Sequence, residues 1–458
     1  MTNQPRRPRV LYLSFYFPPS RASGVYRARA TANYLAEQDW DVTAFAAPLR
    51  FLQEVAGSVD ESLAETVDPR IRVERPQLNH FKWEHDLRRY GRFRRTMPVT
   101  ARHLYNATQR IFPEHYASWG GNAVAKALRI HSRRKFDVVL ATGNPFASFA
   151  AAWLFNRITG VPYVVDYRDS WTLDLFADKP HYPDGHHAWG WERRILRHAS
   201  AASFVNEALR SWHAERYPFA ADRMIVVPNG WDPELLNEVG GAVDTGKRSA
   251  APTPLRFSYI GTVTGRQPVE EMMAAFQAAR RHPELADAEL NIYGHLGFFQ
   301  NSQSALLDRL GLTGGADGSQ QGIHYRGPVA KSQISQAYAD SDALVFLAGG
   351  ARYVTSGKVF EYMASGRPIV SVHAPGIAAT EVLSGYPLWF NANSLDPDRI
   401  AQSMMAAGKL ARDLSPDARA AARRHAEAYT REKMLKPLEA TLRSLVSNST
   451  RRTRDPHR

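Results

Sequence analysis

Two parts of the chain repeat the same order of strand, glycine loop and helix, and this order constrains the fold more than any other feature. Residues 9–17 are apolar and predict a buried strand, Gly24 follows in a loop, and residues 25–38 have helical spacing. The order restarts at residues 255–260, where a second apolar strand leads to Gly261. Such alternation predicts parallel sheets covered by helices on both faces. We therefore predict an α/β protein with two doubly wound, Rossmann-like domains.

Short apolar runs predict further strands in both halves of the chain. These runs cover residues 41–45, 136–140, 163–166, 202–205 and 224–227 in the first half, and 290–293, 322–325, 343–346 and 368–372 in the second. Helical patterns lie between the runs, as expected for parallel strands joined by crossovers. A length of 458 residues is too great for one compact core, so two large domains fit best.

Composition marks the boundary between the two domains. Residues 239–254 are rich in Gly, Ala, Pro and small polar side chains, which is typical of a linker. The predicted organisation is a first domain at 1–237, a linker at 238–254, a second domain at 255–416, helices at 417–447 that return to the first domain, and a disordered basic tail at 448–458.

Several classes of protein are excluded by composition. The chain has no cysteine, which rules out disulfides, thiolate metal sites and cysteine nucleophiles. The longest apolar run, residues 147–155, is shorter than the roughly 18–20 residues of a membrane-spanning helix. The apolar residues 10–17 lead into Pro18 and Pro19 without a cleavage site, so we interpret them as a strand and not as a signal peptide. We expect a cytoplasmic protein.

The most informative motif lies at residues 355–370. Ser356, Gly357 and Lys358 form a predicted turn, and a short helix with Glu361 follows. A cation and free backbone N–H groups at a helix start suit a diphosphate, because the helix dipole also favours negative charge there. Glu361, one turn into the helix, is placed to accept hydrogen bonds from ribose hydroxyls. The alternative is a surface turn with a solvated lysine.

This segment resembles the nucleotide-sugar-binding signature of the retaining GT-B glycosyltransferases, carbohydrate family four. Shorter matches follow in the family's order along almost the whole chain: residues 17–20 with Gly24 and Arg27, residues 227–232, residues 260–262 and residues 338–345. The resemblance implies two Rossmann-like domains that face each other across a cleft. It also implies transfer of a sugar with retention, during which the leaving diphosphate takes the acceptor proton.

The resemblance also assigns site residues. It implies a nucleotide-sugar donor in the C-terminal half, bound through Gly261, Thr262, Arg266, Arg326, Ser356, Gly357, Lys358 and Glu361. Arg266 could equally be a solvated loop arginine. The acceptor, a glycan, a lipid-linked compound or a small molecule, is expected near Gly24 and Arg27 in the N-terminal half. The nucleotide-sugar is a substrate, and no cofactor is expected.

One position departs from the family pattern. Many members carry two glutamates separated by seven residues, and Glu361 corresponds to the second, whereas Tyr353 occupies the place of the first. Because the first glutamate of the family lies near the transferred sugar, this departure leaves the sugar's identity open. It also motivates a non-catalytic sugar-nucleotide-binding protein as an alternative. A GT-B nucleotide-sugar epimerase is the rival enzyme.

Three charged residues follow the predicted strand at residues 163–166. Asp166, Arg168 and Asp169 lie at its C-terminal end, where open α/β sheets bind ligands. We predict that Asp169 acts on the acceptor hydroxyl or on the developing positive charge of the sugar, that Arg168 favours its charged form, and that Asp166 is the second choice. The alternative is an Asp–Arg pair that only fixes the loop.

No metal site is predicted. The Asp-x-Asp patterns at residues 39–41, 340–342 and 396–398 imitate a metal motif, but the first two lie at helix-to-strand junctions, where acidic residues are common. His186 and His187 have no third ligand at metal spacing. We therefore expect a reaction without an essential metal.

An insertion at residues 82–110 carries arginines interleaved with aromatic residues, in a chain with a net charge of +13. The aromatic residues are Trp83, Tyr90, Phe93 and Tyr105. This pattern suits an anionic membrane surface, which favours a peripheral location on the inner face of the membrane. No nucleic-acid motif accompanies it, so we expect no nucleic-acid partner. The alternative is a solvated helix pair.

Overall fold

The computed structural model forms two compact units. The first comprises Met1–Pro228 and Leu435–Arg458, and the second comprises Asn229–Met434. The structure describes residues 6–57, 59–236, 254–264, 267–296, 321–329, 333–349 and 352–454. The predicted linker, apart from Pro254, lies outside the described residues, and so does Arg266.

The first unit contains a seven-stranded parallel sheet in the order β3-β2-β1-β4-β5-β8-β9. Its strands are β1 (Arg9–Leu13), β2 (Asp41–Phe45), β3 (Arg72–Glu74), β4 (Val138–Gly143), β5 (Tyr163–Tyr167), β8 (Ala201–Phe204) and β9 (Met224–Val226). The strands β6 (Leu173–Asp174) and β7 (Lys179–Pro180) form a separate antiparallel pair. The strand order reverses between β1 and β4. Ligands of open α/β sheets bind at such a switch point, beyond the carboxyl ends of the strands.

Helices follow the strands of this sheet along the chain. They are α1 (Val25–Glu37), α2 (Leu49–Glu54), α3 (Glu61–Glu65), α4 (Arg92–Thr96), α5 (Pro98–Ile111), α6 (Ala117–Arg133), α7 (Ala147–Thr159), α8 (His187–His198) and α9 (Glu207–Arg216). Strands β1 and β4 are buried along their whole length, as expected for central strands of a parallel sheet.

The second unit contains a six-stranded parallel sheet in the order β12-β11-β10-β13-β14-β15. Its strands are β10 (Arg256–Ile260), β11 (Glu289–Tyr293), β12 (Ile323–Gly327), β13 (Ala343–Leu347), β14 (Ile369–Val372) and β15 (Trp389–Asn391). Its helices are α10 (Pro233–Leu236), α11 (Val269–Arg280), α12 (Ile334–Ala339), α13 (Gly357–Ala364), α14 (Ala379–Leu383), α15 (Pro397–Arg412) and α16 (Pro416–Ala426). Here the order reverses between β10 and β13, which creates a second switch point.

The last helix, α17 (Arg431–Arg454), packs on the core of the first unit. Leu435, Leu438 and Leu442 lie in the same apolar cluster as Val10 of β1. The indole N–H of Trp40 donates to Glu439 Oε1 at 3.0 Å. The return to the first unit thus begins at Leu435, whereas α16 belongs to the second unit. The predicted disordered tail begins at residue 448, but α17 continues to Arg454, and residues 455–458 lie outside the described residues.

None of the helices in the described part of the chain is long and apolar enough to cross a membrane.

Candidate active site

In the second unit, two glycine turns follow neighbouring strands β10 and β11. Gly261 has φ 153° and Gly294 has φ 136°, both in the region that side chains rarely adopt. A Cβ atom on Gly294 would lie 2.0 Å from the carbonyl oxygen of Gly261. A Cβ on Gly261 would lie 1.7 Å from Lys358 Nζ. Only glycine permits these two approaches.

Lys358 brings a positive charge to the carboxyl end of β10. Its ammonium group donates to Tyr259 Oη at 3.2 Å, and Tyr259 Oη donates to the carbonyl oxygen of Thr262 at 2.8 Å. Ser356 caps α13, since its Oγ accepts from Lys358 N at 3.3 Å. The structure therefore brings Gly261, Thr262, Ser356 and Lys358 together at the second switch point. An ammonium group beside a helix start can bind an anion.

A second cation lies at the same helix start. Arg431 Nη2 is 4.0 Å from the position that a Cβ on Gly357 would take. Arg431 Nη1 donates to Asn229 Oδ1 at 3.3 Å, and Asn229 Nδ2 donates to the carbonyl oxygen of Thr355 at 3.1 Å. Arg431 is thus held beside the turn of Ser356 and Gly357. Sequence reasoning missed it because 74 residues separate Gly357 from Arg431, and no local pattern marks the arginine.

The other predicted donor residues have different surroundings. Glu361 is half-buried, and its Oε2 accepts from Tyr338 Oη at 2.9 Å. Arg326 lies on the edge strand β12, where its Nε donates to Asn291 Oδ1 at 2.7 Å and its Nη2 is 3.9 Å from Glu289. Glu289 opens β11 and Asn291 is its middle residue, so these contacts of Arg326 lie along the strand. Tyr353 is buried in the second unit.

In the first unit, Arg168 joins three loops at the switch point. Its Nε donates to the carbonyl oxygen of Gly143 at 2.7 Å and its Nη2 to that of Asn144 at 3.0 Å, in the loop after β4. A Cβ on Gly24 would lie 1.3 Å from Arg168 Nη1. The guanidinium group therefore lies directly over Gly24, at the start of α1. Arg168 itself comes from the loop after β5.

Arg27 and Asp166 form a buried ion pair beneath these loops. Arg27 Nη2 is 2.7 Å from Asp166 Oδ1 and Arg27 Nε is 3.0 Å from Asp166 Oδ2, with both side chains 2% exposed. Ser203 Oγ also donates to Asp166 Oδ1 at 2.8 Å. Burial opposes ionisation of Asp166, but Arg27 and the hydroxyl of Ser203 outweigh this cost and hold the pKa of the carboxyl below its ordinary value. An ionised carboxylate with these donors stabilises the end of β5.

Asp169 differs from Asp166 in its surroundings. It is half-buried, and its carboxylate makes no hydrogen bond or ion pair with any residue that the structure describes. The next residue, Ser170, contacts His213 Nε2 at 3.4 Å and accepts from Leu173 N at 3.1 Å. Arg168 and Ser170 thus fix the backbone on both sides, while the carboxylate between them remains available to a ligand.

The structure adds Glu114, which sequence reasoning missed. Its Oε1 accepts from Phe146 N at 2.9 Å, next to the start of α7, and its Oε2 is buried without a hydrogen-bond partner among the described residues. Burial raises the pKa of Glu114 to about 7. The glutamate lies between α5 and α6, and only the fold brings it to the loop after β4. No sequence motif indicates this contact.

Two family models match the chain. Residues 24–230 match a glycosyl transferase 4-like domain, and residues 254–407 match the glycosyl transferases group 1 domain. No curated protein matches the chain at a significant level.

Solved structures share the fold over nearly the whole chain. A glycosyltransferase from Rickettsia africae aligns with a TM-score of 0.64 at 12% identity, over 96% of this chain and 99% of its own. Sucrose-phosphate synthase from Thermosynechococcus elongatus gives 0.63 at 13% identity, over 96% and 100%. Anabaena HepE in complex with UDP and glucose gives 0.60 at 14% identity, over 96% and 100%. At these identities the likeness establishes the fold alone.

The first matched domain covers the first sheet from β2 to β9, and the second covers the whole second sheet. The predicted GT-B fold of two Rossmann-like domains is confirmed. The chain belongs to the group 1 glycosyltransferases.

Proposed function

We propose that the second unit binds a nucleoside diphosphate sugar at the second switch point, and that the sugar passes to an acceptor held by the first unit. The observation that carries this proposal is the position of Lys358 over Gly261, at the start of α13. Its ammonium group, the guanidinium of Arg431 and the helix start supply positive charge to a diphosphate. Glu361 then accepts from the ribose hydroxyls. Anabaena HepE binds UDP and UDP-glucose, which supports this class of donor.

The proposed chemistry is transfer with retention of anomeric configuration. The bond between the anomeric carbon and the diphosphate oxygen breaks, and the electron pair leaves with the diphosphate. The acceptor oxygen then bonds to the anomeric carbon, and its proton passes to the leaving diphosphate. Lys358 stabilises the negative charge that develops on the diphosphate, as fixed cations do in other active sites. The acceptor is a glycan, a lipid-linked compound or a small molecule.

Asp169 is the proposed acceptor-side carboxylate. Its half-buried carboxylate has no partner among the described residues, and Arg168 and Ser170 hold its loop. It orients the acceptor hydroxyl, or it stabilises the positive charge that develops on the sugar. Gly24 lets Arg168 approach the start of α1, and the pair of Arg27 and Asp166 supports the same edge from below.

The reaction is proposed to need no metal. In the described ranges, no three His, Asp or Glu side chains lie together as metal ligands. Positive charge for the diphosphate is instead available from Lys358 and Arg431.

A second proposal places residues 82–110, together with the adjacent Ile111, on an anionic membrane surface. Two aromatic residues of this region pack against other rings of the protein, whereas Phe93 is exposed. Trp83 contacts Phe51, and Tyr105 stacks on Phe81 at 4.4 Å. The exposed apolar side chains are Leu87, Phe93, Met97, Val99, Leu104 and Ile111. Met97, Leu104 and Ile111 recur every seven residues, so they lie along one side of α5 and its N-cap.

Cations accompany these exposed apolar side chains. Arg92, Arg95, Arg102 and Arg110 are exposed and have no carboxylate partner in the described part of the chain. Aliphatic side chains flanked by unpaired arginines match the chemistry of a bilayer with anionic lipids. The occupant of this surface is therefore proposed to be a membrane, from which a lipid-linked acceptor would be reached.

A non-catalytic binding protein is the rival function, favoured by the buried Tyr353 at the family's glutamate position. The test is to incubate the protein with a panel of nucleotide-sugars, with and without candidate acceptors, and to measure nucleoside diphosphate release. This measurement distinguishes a glycosyltransferase from a non-catalytic binding protein. Donor binding without release under all conditions would support the rival. An epimerase would convert the donor sugar without an acceptor.

For Lys358→Ala, we expect donor binding to weaken by about 1–3 kcal/mol, the scale of a hydrogen bond to a charged group. Glu361→Ala should have an effect in the same range. Calorimetry with the nucleotide that binds the wild type measures both, and Lys409→Ala, an exposed lysine of the same unit, is the control. Unchanged affinity in both variants would remove the proposed donor site.

For Asp169→Asn, turnover should fall by a factor of about 10²–10⁴, the usual contribution of a positioned acid-base group, while donor affinity stays near that of the wild type. Turnover and affinity are measured on one folded preparation. Asp222→Asn, an exposed carboxylate elsewhere in the first unit, should change neither. Normal turnover in Asp169→Asn would show that Asp169 only stabilises its loop and takes no part in the reaction.

Binding to anionic vesicles should be sensitive to salt, and replacing Arg92 and Arg95 by glutamine should weaken it by roughly 1 kcal/mol per charge. Replacing Leu104 and Ile111 by serine should weaken binding to neutral vesicles as well. Cosedimentation measures these effects, with Arg133→Gln/Lys135→Gln as the charge-matched control. Equal binding of the wild type to neutral and anionic vesicles would contradict the proposed membrane surface.

Activity should survive EDTA. The measurement is nucleoside diphosphate release before and after chelation, followed by addition of Mg²⁺ or Mn²⁺. A complete loss that either metal restores would show that the diphosphate needs a cation beyond Lys358 and Arg431.

A further inference from the structure

The first unit has a cavity of about 550 Å³ whose walls are strongly cationic. Of the nine described residues that line it, seven are arginine or lysine. They come from residues 6–9, from Arg70, and from residues 133–135 at the end of α6, and Trp40 and Asp41 complete the lining. A cavity of this volume is the size of a small-molecule ligand and exceeds that of a single ion.

The cavity lies at the amino edge of the first sheet. Arg9 opens β1, Asp41 opens β2, and Lys135 lies just before β4. All three strands are parallel, so this edge is opposite the one where Arg168 lies over Gly24. The cavity is therefore distinct from the acceptor site proposed for the carboxyl edge.

Carboxylates and carbonyl groups hold several of these cations in fixed positions. Asp41 Oδ2 is shared by Arg9 Nε at 2.9 Å and Arg134 Nη2 at 3.1 Å. Asp137 pairs with Arg6 at 3.0 Å. Arg9 Nη1 also donates to the carbonyl oxygen of Lys135 at 3.0 Å. Each guanidinium has five N–H donors, and these contacts use only some of them. Donors in a fixed arrangement thus remain for a ligand.

Two cations of the lining have no internal partner. The side chains of Arg133 and Lys135 are exposed and make no ion pair or hydrogen bond within the described residues. Arg7 pairs with Asp39 at 3.3 Å and Arg70 with Asp68 at 2.6 Å, so the carboxylates at this edge are already engaged. The like charges of Arg133, Arg134 and Lys135 are adjacent in sequence and repel one another. A multiply charged anion would relieve this repulsion.

The arginine and lysine side chains of the lining indicate that the ligand is an anion. Planar guanidinium groups bind phosphate oxygens through paired N–H donors. Among the described residues of the lining, Trp40 is the one apolar residue, and it is buried, so these residues offer no side chain for insertion into lipid. We infer that the amino-edge cavity is a binding site for a soluble anion that carries several phosphate charges, such as an oligophosphate or a nucleoside polyphosphate.

The test uses inorganic tripolyphosphate as the probe and the full-length protein, titrated by calorimetry. We expect saturable binding to the wild type and a rise in thermal stability with probe concentration. Arg133→Gln/Lys135→Gln should weaken binding roughly 10- to 100-fold, because each charged contact corresponds to about tenfold in affinity. Arg157→Gln/Arg193→Gln, which removes the same charge from two exposed arginines elsewhere in the first unit, should bind like the wild type.

Lys358→Ala separates this site from the proposed donor site. The amino-edge site is supported if tripolyphosphate binding persists in Lys358→Ala and is lost in Arg133→Gln/Lys135→Gln. This result does not depend on whether the second unit binds a nucleotide-sugar. Equal loss in the two glutamine pairs would mean attraction to net charge alone and would overturn the inference. Loss in Lys358→Ala would assign the probe to the donor site and overturn it too. An Arg133/Lys135-dependent interaction with anionic vesicles, without tripolyphosphate binding, would also contradict it.

Discussion

A cation held directly over a glycine, close to the switch point of each sheet, is the contact on which both candidate sites depend. Arg168 lies over Gly24 in the first unit, and Lys358 lies over Gly261 in the second. A Cβ atom would approach the cation to 1.3 Å or 1.7 Å, so any other residue would displace the charge. The two cations come from different kinds of element, a strand-end loop and a helix start. The shared feature is therefore the space that glycine leaves beside the strand ends.

The buried pair of Arg27 and Asp166 gives this aspartate, which lies inside β5, surroundings different from those of Asp169 in the loop that follows. Removing one partner of such a pair leaves an uncompensated buried charge, which costs about 3–5 kcal/mol. The burial of Asp166 and its ion pair with Arg27 therefore favour a supporting role for this residue. Asp169 lies three residues later, beyond the strand, and is half-buried. The neighbouring Arg168 donates its hydrogen bonds to the backbone carbonyl groups of Gly143 and Asn144. Asp166 and Asp169 are three residues apart in the sequence, but the fold buries and pairs the first and leaves the second half-buried.

The strands with continuous apolar runs could be predicted from sequence, because central strands of parallel sheets are buried on both faces. Strand β3, with the sequence Arg72–Glu74, lies at the sheet edge and is largely exposed, so it carries no such signal. The turn of Ser356 to Lys358 was also predictable, since its residues are adjacent. Arg431 and Glu114 were not, because tertiary structure alone brings them to their sites. At residues 82–110, the arginines and aromatic residues were visible in the sequence, but their packing was not. Trp83 and Tyr105 pack against other rings, and the exposed apolar side chains are Phe93 and several aliphatic residues.

The buried Tyr353 concerns recognition of the sugar and not binding of the nucleotide, because it occupies the position of the family's first glutamate. A phenol in the core cannot supply the carboxylate that the family pattern places beside the sugar, whereas Lys358 and Glu361 occupy positions suited to the diphosphate and the ribose. In the proposed donor site, affinity for the nucleotide part of a donor depends mainly on charge, which Lys358 and Arg431 at the α13 start are proposed to supply. Selectivity between sugars depends on hydrogen bonds to individual hydroxyl groups, whose loss leaves buried polar groups unpaired. The donor sugar must therefore be recognised through groups other than the family's first glutamate, and its identity can differ from that of relatives that retain this residue.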